Sequence, residues 1–585
     1  MRTPFACSGR IRTVLIVALT RMGDLYELYP MVAALKERDP DCRIFLAAYR
    51  EFTGVLGPLG LFSGVFPVDS LSLRDRMHSG TNPLDLYRDL SGWLSEVNGL
   101  DLDLLINLTP NRIGAVLGYL IQARDKRGLH MTTDGFRAHY GAWVPYLSTL
   151  VRNRLYNSLN LSDLFLKIAG VEAPRTIALS LSDEVRTSVL DRLRDAGVGP
   201  DAPVLSFATG ASVELKRWPV RSFALVIRRL LSEDPSRVVV LLGSGDSDLG
   251  RNRRILEEVR SNEPQVASRV LDWTGKTNVD ELFSLLEVSR VLLSNDTGTM
   301  HAAALLKTPV VCLSFANLFY PETGPWAPGN VVIHSMAPCA PCGSDSRCLD
   351  PVCREDLSPQ LVADVVGVRL VFPREIGDRD LPLLAESLKR IPAGVRADVA
   401  LSRRDEWGDL RYRSLGRGEA VPEAFFRRVY ERVWREDLEG KAQGACSPGE
   451  SRVIDLEVFR SAARLEELAI EGLALVDTVR TILKSGSGDR MEATLADLEK
   501  VDRSIEALGW TCPSLGPLVV FFRMEKESVD VWDPFELEQL VERTEETYAG
   551  LCRRVRLFET VLREWDARDR GPMEALLVLD KVGRN

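Results

Sequence analysis

Short apolar runs recur through the first 370 residues, and turns containing Gly, Ser, Asn or Asp end those of the second half. The runs are 14–19, 43–48, 102–108, 204–207, 238–242, 291–293 and 310–313. Helical segments, for example at 31–37 and 300–306, lie between them. Strands that alternate with helices favour a mostly parallel sheet. We therefore predict the α/β fold class, with two domains facing a cleft and a polar, Pro-containing stretch over 172–203 between them.

Length and composition narrow the class of protein. A chain of 585 residues suggests three or four domains at about 150 residues each. Its 45% apolar and 27% charged residues are typical of a soluble globular chain. The net charge of −9 argues against nucleic acid as a partner, because such proteins usually carry a basic surface.

The N-terminus resembles a signal peptide only superficially. Arg2, Arg10 and Arg12 precede the apolar run at 14–19, but this run is short and lacks a small-residue cleavage site. It leads directly into Gly23-Asp24. No apolar stretch approaches the roughly 20 residues that span a bilayer. We interpret 14–19 as the first buried strand of a cytoplasmic protein.

An acid, hydroxyls, a glycine and an imidazole cluster where a predicted buried strand becomes a helix. They form the segment 294–301, Ser-Asn-Asp-Thr-Gly-Thr-Met-His. Ligands of open α/β sheets bind at the carboxyl ends of strands, where the N–H groups and dipole of the next helix favour an anion. The segment therefore predicts a site for an anion such as the diphosphate of a nucleotide.

Four of the ten cysteines fall within fifteen residues. Cys339, Cys342, Cys348 and Cys353 form C-x2-C-x5-C-x4-C on a loop, 339–353, rich in Pro, Gly and Ser. Four thiolates on a short loop suit a structural zinc or iron ion, although the second pair is irregularly spaced. The alternative is a loop of reduced thiols or a labile disulfide. A catalytic metal is disfavoured, because four sulfur ligands leave no open position.

The sequence changes character after residue 370. Residues 373–450 are dense in charge and include Pro392, Pro422 and Pro448, which predicts a partly helical connector. From 451 to 585 apolar residues recur every three or four positions, which predicts a helical bundle. A Ser-Gly-Ser-Gly turn at 485–488 separates two helices, and Asp533-Pro534 begins a third. The apolar stripes are most simply the bundle core, and the alternative is a surface for a partner or for self-association.

Five motifs, taken as an ordered set, carry a family resemblance. They are Arg21-Met22-Gly23-Asp24, Lys216-Arg217-Trp218-Pro219, Gly275-Lys276-Thr277, Asn295-Asp296-Thr297-Gly298 with His301, and Thr308-Pro309-Val310. Over residues 12–368 the chain resembles the ADP-heptose lipopolysaccharide heptosyltransferases of bacteria, glycosyltransferase family 9. The resemblance implies a GT-B fold, with a Rossmann-like acceptor domain over 1–175 and a Rossmann-like nucleotide-sugar domain over 195–372.

The resemblance also implies an activity. It predicts an inverting, metal-independent transfer of heptose from ADP-heptose to a hydroxyl of a glycan or protein. Asp24 matches the family's general base, since a carboxylate at this turn can take the proton of the attacking hydroxyl; the alternative is a capping aspartate. Lys216 is suited to stabilise the departing diphosphate, and the alternative is a solvated surface lysine.

Further residues are predicted to bind the donor. Asp296, Thr297 and Gly298 would hold the sugar and diphosphate, with His301 one turn into the helix, although a lone helical histidine is more often structural. Asp246 or Asp248, after the strand 238–242, would accept hydrogen bonds from the ribose. The donor-binding set comprises Thr20, Gly23, Ser212, Asp246, Thr277, Asp296, Thr297, Gly298 and His301.

The sequence does not decide which residues bind the acceptor. Family members commonly have small hydroxyl residues before Met-Gly-Asp, whereas Thr20-Arg21 stands here. Arg50, Arg124, Lys126 and Arg127 either meet acidic groups of an acceptor or are ordinary surface charges. The expected partners are a nucleotide sugar and a glycan or protein acceptor, with peripheral contact to the inner membrane face and with acceptor docking or self-association through the bundle. Two other functions remain: a non-catalytic scaffold on a decayed transferase fold, and a GT-B enzyme that uses a UDP-sugar.

Overall fold

The computed structural model describes residues 11–133, 135–150, 153–343, 347–371, 382, 396–416, 422–440, 454–485, 490–528 and 537–569. Strands and helices alternate over the first part of the chain. These elements are β1 Thr13–Val17, α1 Met22–Glu27, α2 Tyr29–Arg38, β2 Arg43–Tyr49, β3 Gly64–Val68, α3 Ser70–His78, α4 Pro83–Asn98, β4 Leu102–Asn107, α5 Arg112–Leu120, β5 Ala123–Met131, β6 Arg137–Tyr140, α6 Val144–Thr149 and α7 Leu161–Ala169.

The alternation continues from residue 183 to residue 371. The elements are α8 Asp183–Asp195, β7 Val204–Ala208, α9 Val220–Glu233, β8 Val238–Leu242, α10 Gly245–Asn262, α11 Pro264–Ala267, β9 Val270–Asp272, α12 Val279–Val288, β10 Val291–Asn295, α13 Gly298–Leu305, β11 Val310–Ser314, α14 Tyr320–Thr323, β12 Val331–Ser335 and α15 Pro359–Val371.

A hairpin and long helices complete the chain. They are β13 Ala397–Arg404, β14 Leu410–Ser414, α16 Pro422–Glu439, α17 Leu456–Ser485, α18 Met491–Thr511, α19 Gly516–Glu527 and α20 Leu537–Asp569. The predicted turn at 486–488 and the predicted helix start at Asp533-Pro534 lie outside the described residues.

The strands form two sheets. One contains β1, β4, β5 and β6, in which β1, β4 and β5 pair in parallel and β6 is antiparallel, and β2 pairs in parallel with β3. The other has eight, β14-β13-β12-β11-β10-β7-β8-β9, parallel from β12 to β9. Val291, Leu292 and Leu293 of β10 are fully buried, as expected of a parallel strand covered on both faces. The predicted α/β class, with two mainly parallel sheets and a C-terminal helical region, is confirmed.

The β13–β14 hairpin is a feature that the sequence analysis did not predict. It falls within 373–450, interpreted above as a partly helical connector, and it extends the second sheet by two antiparallel strands. Val399, Ala400 and Leu401 supply a short apolar run, and Gly408 has a φ of +85° in the turn. This signal is weak because charged residues surround the run on both sides.

The chain divides into two compact units. The first comprises Met1–Val17, Arg88–Ser158 and Glu419–Asn585, and the second comprises Ala18–Tyr87 and Leu159–Gly418. Both sets of ranges include residues that the structure does not describe.

Aromatic side chains of the C-terminal helices form a core inside the first unit. The ring of Trp434 on α16 stacks on Phe521 of α19 at 4.8 Å between centroids, and Tyr430 stacks on Phe558 of α20 at 5.3 Å. Tyr146 of α6 meets the edge of Trp434 at 6.1 Å. The C-terminal helices, α16 among them, therefore bury apolar faces against α6 as well as against one another.

A buried ion cluster lies beside this aromatic core. The Arg554 side chain is 2% exposed and donates to Asp437 Oδ2 at 2.7 Å and to both Glu525 oxygens at 2.6 and 2.7 Å. A charge this deeply buried is tolerated only when it is paired and hydrogen-bonded. The cluster thus fixes how α16, α19 and α20 pack.

Within the described residues no single helix has the length and apolar character needed to cross a bilayer. Only the pair Met491–Thr511 and Pro513–Glu527, bent by 118°, meets the criteria of length and composition when taken together.

In the second unit, Asp163 of α7 anchors the hairpin. Its Oδ1 accepts a hydrogen bond from the Trp326 indole at 2.8 Å, and its Oδ2 accepts one from the backbone N–H of Leu410 at 2.7 Å. Arg404, whose guanidinium lies 3.9 Å from the Trp326 ring centroid, approaches Oδ1 at 3.4 Å. Burial and the nearby Asp409 raise the pKa of Asp163 to about 6. One carboxyl therefore joins α7, the Trp326 segment and β14.

Replacing this anchor should destabilise the second unit. Asp163→Ala leaves the Trp326 and Leu410 donors and the Arg404 charge without their acceptor, which costs about 3–5 kcal/mol for a buried pair. We expect a lower thermal midpoint and faster hydrogen exchange in β13 and β14. Asp191→Ala, which removes an exposed ion pair with Arg194, should change stability by less than about 1 kcal/mol. Equal effects of the two substitutions would contradict the anchoring role.

Candidate functional site

Asp24 lies in the first turn of α1. Its Oδ2 accepts a hydrogen bond from the backbone N–H of Arg21 at 3.2 Å and another from the hydroxyl of Thr20. Arg21 is the N-cap residue, so Asp24 stands three residues inside it and reaches back to satisfy an otherwise unpaired helix N–H. The alternative role of Asp24, that of a capping aspartate, therefore accounts for its contact with the Arg21 N–H. Its side chain remains half-buried and within reach of solvent.

Two glycines allow α1 to approach α13 closely. A Cβ atom at Gly298 would lie 2.6 Å from Cε of Met22, and one at Gly23 would lie 3.3 Å from Cδ2 of His301. Larger residues would push the helices apart. These contacts bring the turn before α1 and the turn before α13 together within the second unit.

Lys216 and Asp296 form an ion pair beside this contact. Lys216 Nζ lies 2.5 Å from Asp296 Oδ2, and the two side chains are 18% and 16% exposed. Lys216 ends a short 3-10 helix after β7, and Asp296 follows β10. Both residues are thus at the carboxyl ends of neighbouring strands, where open α/β sheets bind ligands.

Asn295 holds the Lys216 loop in place. Its side chain is fully buried, donates to the carbonyls of Thr209 and Gly210 at 2.7 and 3.1 Å, and accepts from the N–H of Trp218 at 3.3 Å. The Trp218 indole is buried as well and donates to the Leu357 carbonyl at 3.1 Å. The sequence analysis gave these two residues no role. Asn295 is a polar residue at the last position of an apolar strand, and this pattern could have indicated its role.

Glu27 was also missed. Its side chain is buried, and its pKa is raised well above the usual range by burial and by the charges of Asp24, Asp296 and Glu322. His301 is buried too, and burial lowers the pKa of its imidazole. A glutamate inside the otherwise apolar stretch 25–32 was the available signal. The site thus combines an excess of carboxyl groups with one lysine and a neutral histidine.

The remaining predicted donor residues lie at other strand-to-helix turns. Thr297 is the N-cap of α13, with its hydroxyl 3.1 Å from that of Ser294. Asp248 accepts from the Ser244 N–H at 3.0 Å at the start of α10, whereas Asp246 is exposed. Ser212 is exposed, and Thr277 is half-buried just before α12. The contacts described above pair Lys216 with Asp296, Gly23 with His301 and Gly298 with Met22. They do not include Ser212, Asp246 or Thr277.

The four basic residues considered for the acceptor have partners within the chain. Arg50 pairs with Asp69 at 2.9 Å, Arg127 pairs with Asp125 at 3.4 Å, and Lys126 donates to the Gly118 carbonyl at 2.8 Å. Arg124 binds two aspartates, Asp101 at 3.0 Å and Asp103 at 2.9 Å. These contacts favour the interpretation as ordinary surface charges.

The four-cysteine loop brings its thiols near one another. Cys339 is exposed, Cys342 and Cys348 are partly exposed, and Cys353 is buried. Burial and the proximity of the other three raise the pKa of the Cys342 thiol. Among the described residues, which omit 344–346 of this loop, no three His, Cys, Asp or Glu side chains are grouped closely enough to hold a metal ion.

Known proteins match this chain over its α/β part. Residues 96–352 match the model of glycosyltransferase family 9 (heptosyltransferase). Lipopolysaccharide heptosyltransferase 2 of Salmonella typhimurium is 32% identical over 120 residues, 20% of this chain and 33% of that protein. Lipopolysaccharide heptosyltransferase 3 of Escherichia coli K12 is 23% identical over 292 residues, 50% of this chain and 79% of that protein. A glycosyltransferase family 9 structure from Veillonella parvula aligns with a TM-score of 0.47 at 18% identity, covering 62% of this chain and 97% of that one.

The family match covers less than half of the chain. The matched region, residues 96–352, resembles glycosyltransferase family 9 and contains Lys216, Asp296 and His301. The relatives that it resembles in sequence are lipopolysaccharide and lipooligosaccharide heptosyltransferases. The chain spans about a third of the length of the first of these relatives. The Gly23-Asp24 turn precedes the range matched by the family model.

Proposed function

We propose that the chain is an inverting glycosyltransferase that moves a heptose from ADP-heptose to a hydroxyl of a glycan or protein. The observation that carries this proposal is the packing of Gly23, the residue before Asp24, against His301, in the same unit as the Lys216–Asp296 ion pair. The charges of Asp24, Lys216 and Asp296 all affect the pKa of the His301 imidazole, which supports a position of all three groups near His301. The family relationship supplies heptose as the sugar, and the sequence resemblance supplies ADP-heptose as the donor.

Asp24 is the proposed general base. In an inverting transfer the acceptor oxygen forms a bond to the anomeric carbon while the bond to the diphosphate breaks, and the hydroxyl proton passes to a carboxylate. The hydrogen bonds from the hydroxyl of Thr20 and from the backbone N–H of Arg21 hold Oδ2 of Asp24 in place.

Lys216 is the proposed stabiliser of the leaving group. Its ammonium group already faces a carboxylate, Asp296, at the place where the diphosphate is expected. A diphosphate would compete with Asp296 for this charge as the sugar–phosphate bond breaks, and the N–H groups at the start of α13 would add to its stabilisation. We propose that these groups make a divalent metal unnecessary for the transfer.

Removal of the base should stop transfer without preventing binding. Asp24→Asn keeps the side-chain shape but removes the proton acceptor, so we expect transfer to fall about 10²–10⁴-fold. ADP binding, measured by calorimetry, should stay within a few-fold. Asp191→Asn, an exposed substitution on α8, is the matched control and should transfer at the wild-type rate.

The same calorimetry separates the other candidate functions. If a UDP-sugar binds more tightly than ADP-heptose, the donor is a UDP-sugar and the proposed donor is wrong. Binding of ADP-heptose without hydrolysis or transfer to any acceptor would favour a scaffold on a decayed transferase fold. Wild-type transfer by Asp24→Asn would overturn the role of Asp24 as base.

We also propose that the loop 339–353 binds a structural zinc or iron ion. The donor chemistry fits, because thiolates are preferred ligands of both metals. Its sulfurs are near one another but not grouped as a ligand set among the described residues, so binding would have to draw the loop together. Such an ion would stabilise the loop and would take no part in the transfer.

Metal analysis tests this proposal. Protein purified without chelator should contain about one zinc or iron ion per chain, and Cys342→Ser should lose it, because a four-sulfur site needs every ligand. Cys552→Ser, in α20 and outside the loop, should keep the same metal content. If the wild-type protein stays metal-free after reconstitution under reducing conditions, the loop holds reduced thiols and the metal proposal is wrong.

The C-terminal helices are proposed to bind the acceptor. Trp510 on α18 is 81% exposed, which is unusual for a large aromatic side chain and typical of a contact surface. Deleting residues 450–585 is a poor test, because it would uncover the Trp434 and Tyr430 rings that Phe521 and Phe558 cover. A single surface substitution is the sharper experiment.

Trp510→Ser should raise the KM for the acceptor, with ADP-heptose binding unchanged, because the side chain contributes no buried core. Steady-state transfer kinetics with the native acceptor measure this effect. Lys500→Ser, an exposed change on the same helix, serves as the control. An unchanged acceptor KM would remove Trp510 from the acceptor surface.

A further inference from the structure

Glu27 is a buried carboxyl group that the proposed transfer does not use. It ends α1, its side chain is 2% exposed, and its Oε1 has no hydrogen-bond partner among the described residues. Burying such a group costs free energy unless another interaction offsets the cost. Its position beside the candidate site suggests a functional reason.

The imidazole of His301 lies between Glu27 and the turn that carries Asp24. Its Nδ1 is 3.8 Å from Oε1 of Glu27. On the opposite edge of the ring, Cδ2 and Nε2 lie 3.3 and 3.6 Å from the point where a Gly23 side chain would begin. One ring nitrogen therefore faces the buried carboxyl, and the other faces the Gly23 turn.

The charges around Glu27 favour its neutral form. The groups that act on it or that it acts on are Asp24 on α1, Lys216, Asp296, His301 on α13, Glu322 on α14 and Tyr412 on β14. Lys216 is the one cation in this set that is permanently charged, and Asp296 already pairs with it. Burial and three carboxylates thus raise the pKa of Glu27, while burial lowers that of His301.

We propose that Glu27 is a positioning residue that donates its carboxyl proton to Nδ1 of His301, so that Nε2 carries the ring proton at the Gly23 turn. A hydrogen bond requires the two atoms to approach by about 1 Å from their present 3.8 Å, which a small side-chain rotation provides. If the proton moves from Glu27 to Nδ1, Glu27 becomes a carboxylate and the ring an imidazolium. The Nε2–H donor is present in both arrangements, so the pair titrates as one unit.

The consequence for binding deepens the proposed function and rests on it. A fixed Nε2–H donor beside Gly23 recognises an oxygen acceptor, and the phosphate oxygens of a nucleoside diphosphate are the strongest acceptors that such a donor would bring into the site. Glu27 would act through His301 and would not touch the ligand itself.

Nuclear magnetic resonance of ring-labelled histidine tests the proton assignment without any ligand. The chain has five histidines, and His301 is assigned as the resonance that His301→Gln removes. In the wild type at neutral pH we expect Nε2 to be protonated and the Nδ1 shift to be that of a hydrogen-bond acceptor. In Glu27→Leu the Nδ1 shift should move to that of an unbonded ring nitrogen, and the Nδ1–H tautomer should become detectable.

Two further variants make the result specific. Glu27→Gln keeps an N–H donor of the same reach and should restore the wild-type Nδ1 shift. Glu322→Gln neutralises another buried carboxyl of the same cluster and should leave the His301 ring unchanged. A wild-type ring protonated at Nδ1, or an Nδ1 shift unaffected by Glu27→Leu, would overturn the inference. Because no donor or turnover enters the measurement, its outcome is independent of whether Asp24→Asn abolishes transfer.

Discussion

The candidate site depends on the close contact between α1 and α13. Gly23 faces His301, where a side chain would fit only tightly, and Gly298 faces Met22, where a side chain would force a shift. This contact brings together two turns of the second unit, the turn before α1 and the turn before α13. Asp24 and His301 then act on each other electrostatically although 277 residues separate them in sequence (301 − 24). The glycines in both motifs are therefore explained by the packing of α1 against α13.

Charge is the second constraint on this site. The charges of Asp24, Asp296 and Glu322 raise the pKa of Glu27, and the charge of Lys216 opposes them. A cluster of this composition would repel a diphosphate if every carboxyl were ionised. Burial raises the pKa of Glu27, the most buried member, and its neutral form lowers that repulsion.

Seven of the fourteen strands in the described residues could be predicted from the sequence, because their apolar runs are local signals. Runs such as 291–293 are apolar, short and followed by turn residues, and β10 begins at the expected position and extends by two residues. The β13–β14 hairpin could not be predicted, because its apolar run is three residues long and its pairing with β12 is decided by a distant strand. Asn295 and Glu27 are similar cases: their roles come from partners far along the chain, Thr209 and His301. Local patterns identify which residues end a strand, but not which of them meet.

The aromatic core of the first unit has a consequence for a chain cut before its C-terminal helices. Tyr146 is 1% exposed, and one of its neighbours is Trp434, a residue of the C-terminal helices. Position 146 therefore lies against a neighbour that a chain cut near residue 370 would lack. In such a chain the ring of Tyr146 would lose this cover and meet water, so a smaller or more polar side chain would suit the position better.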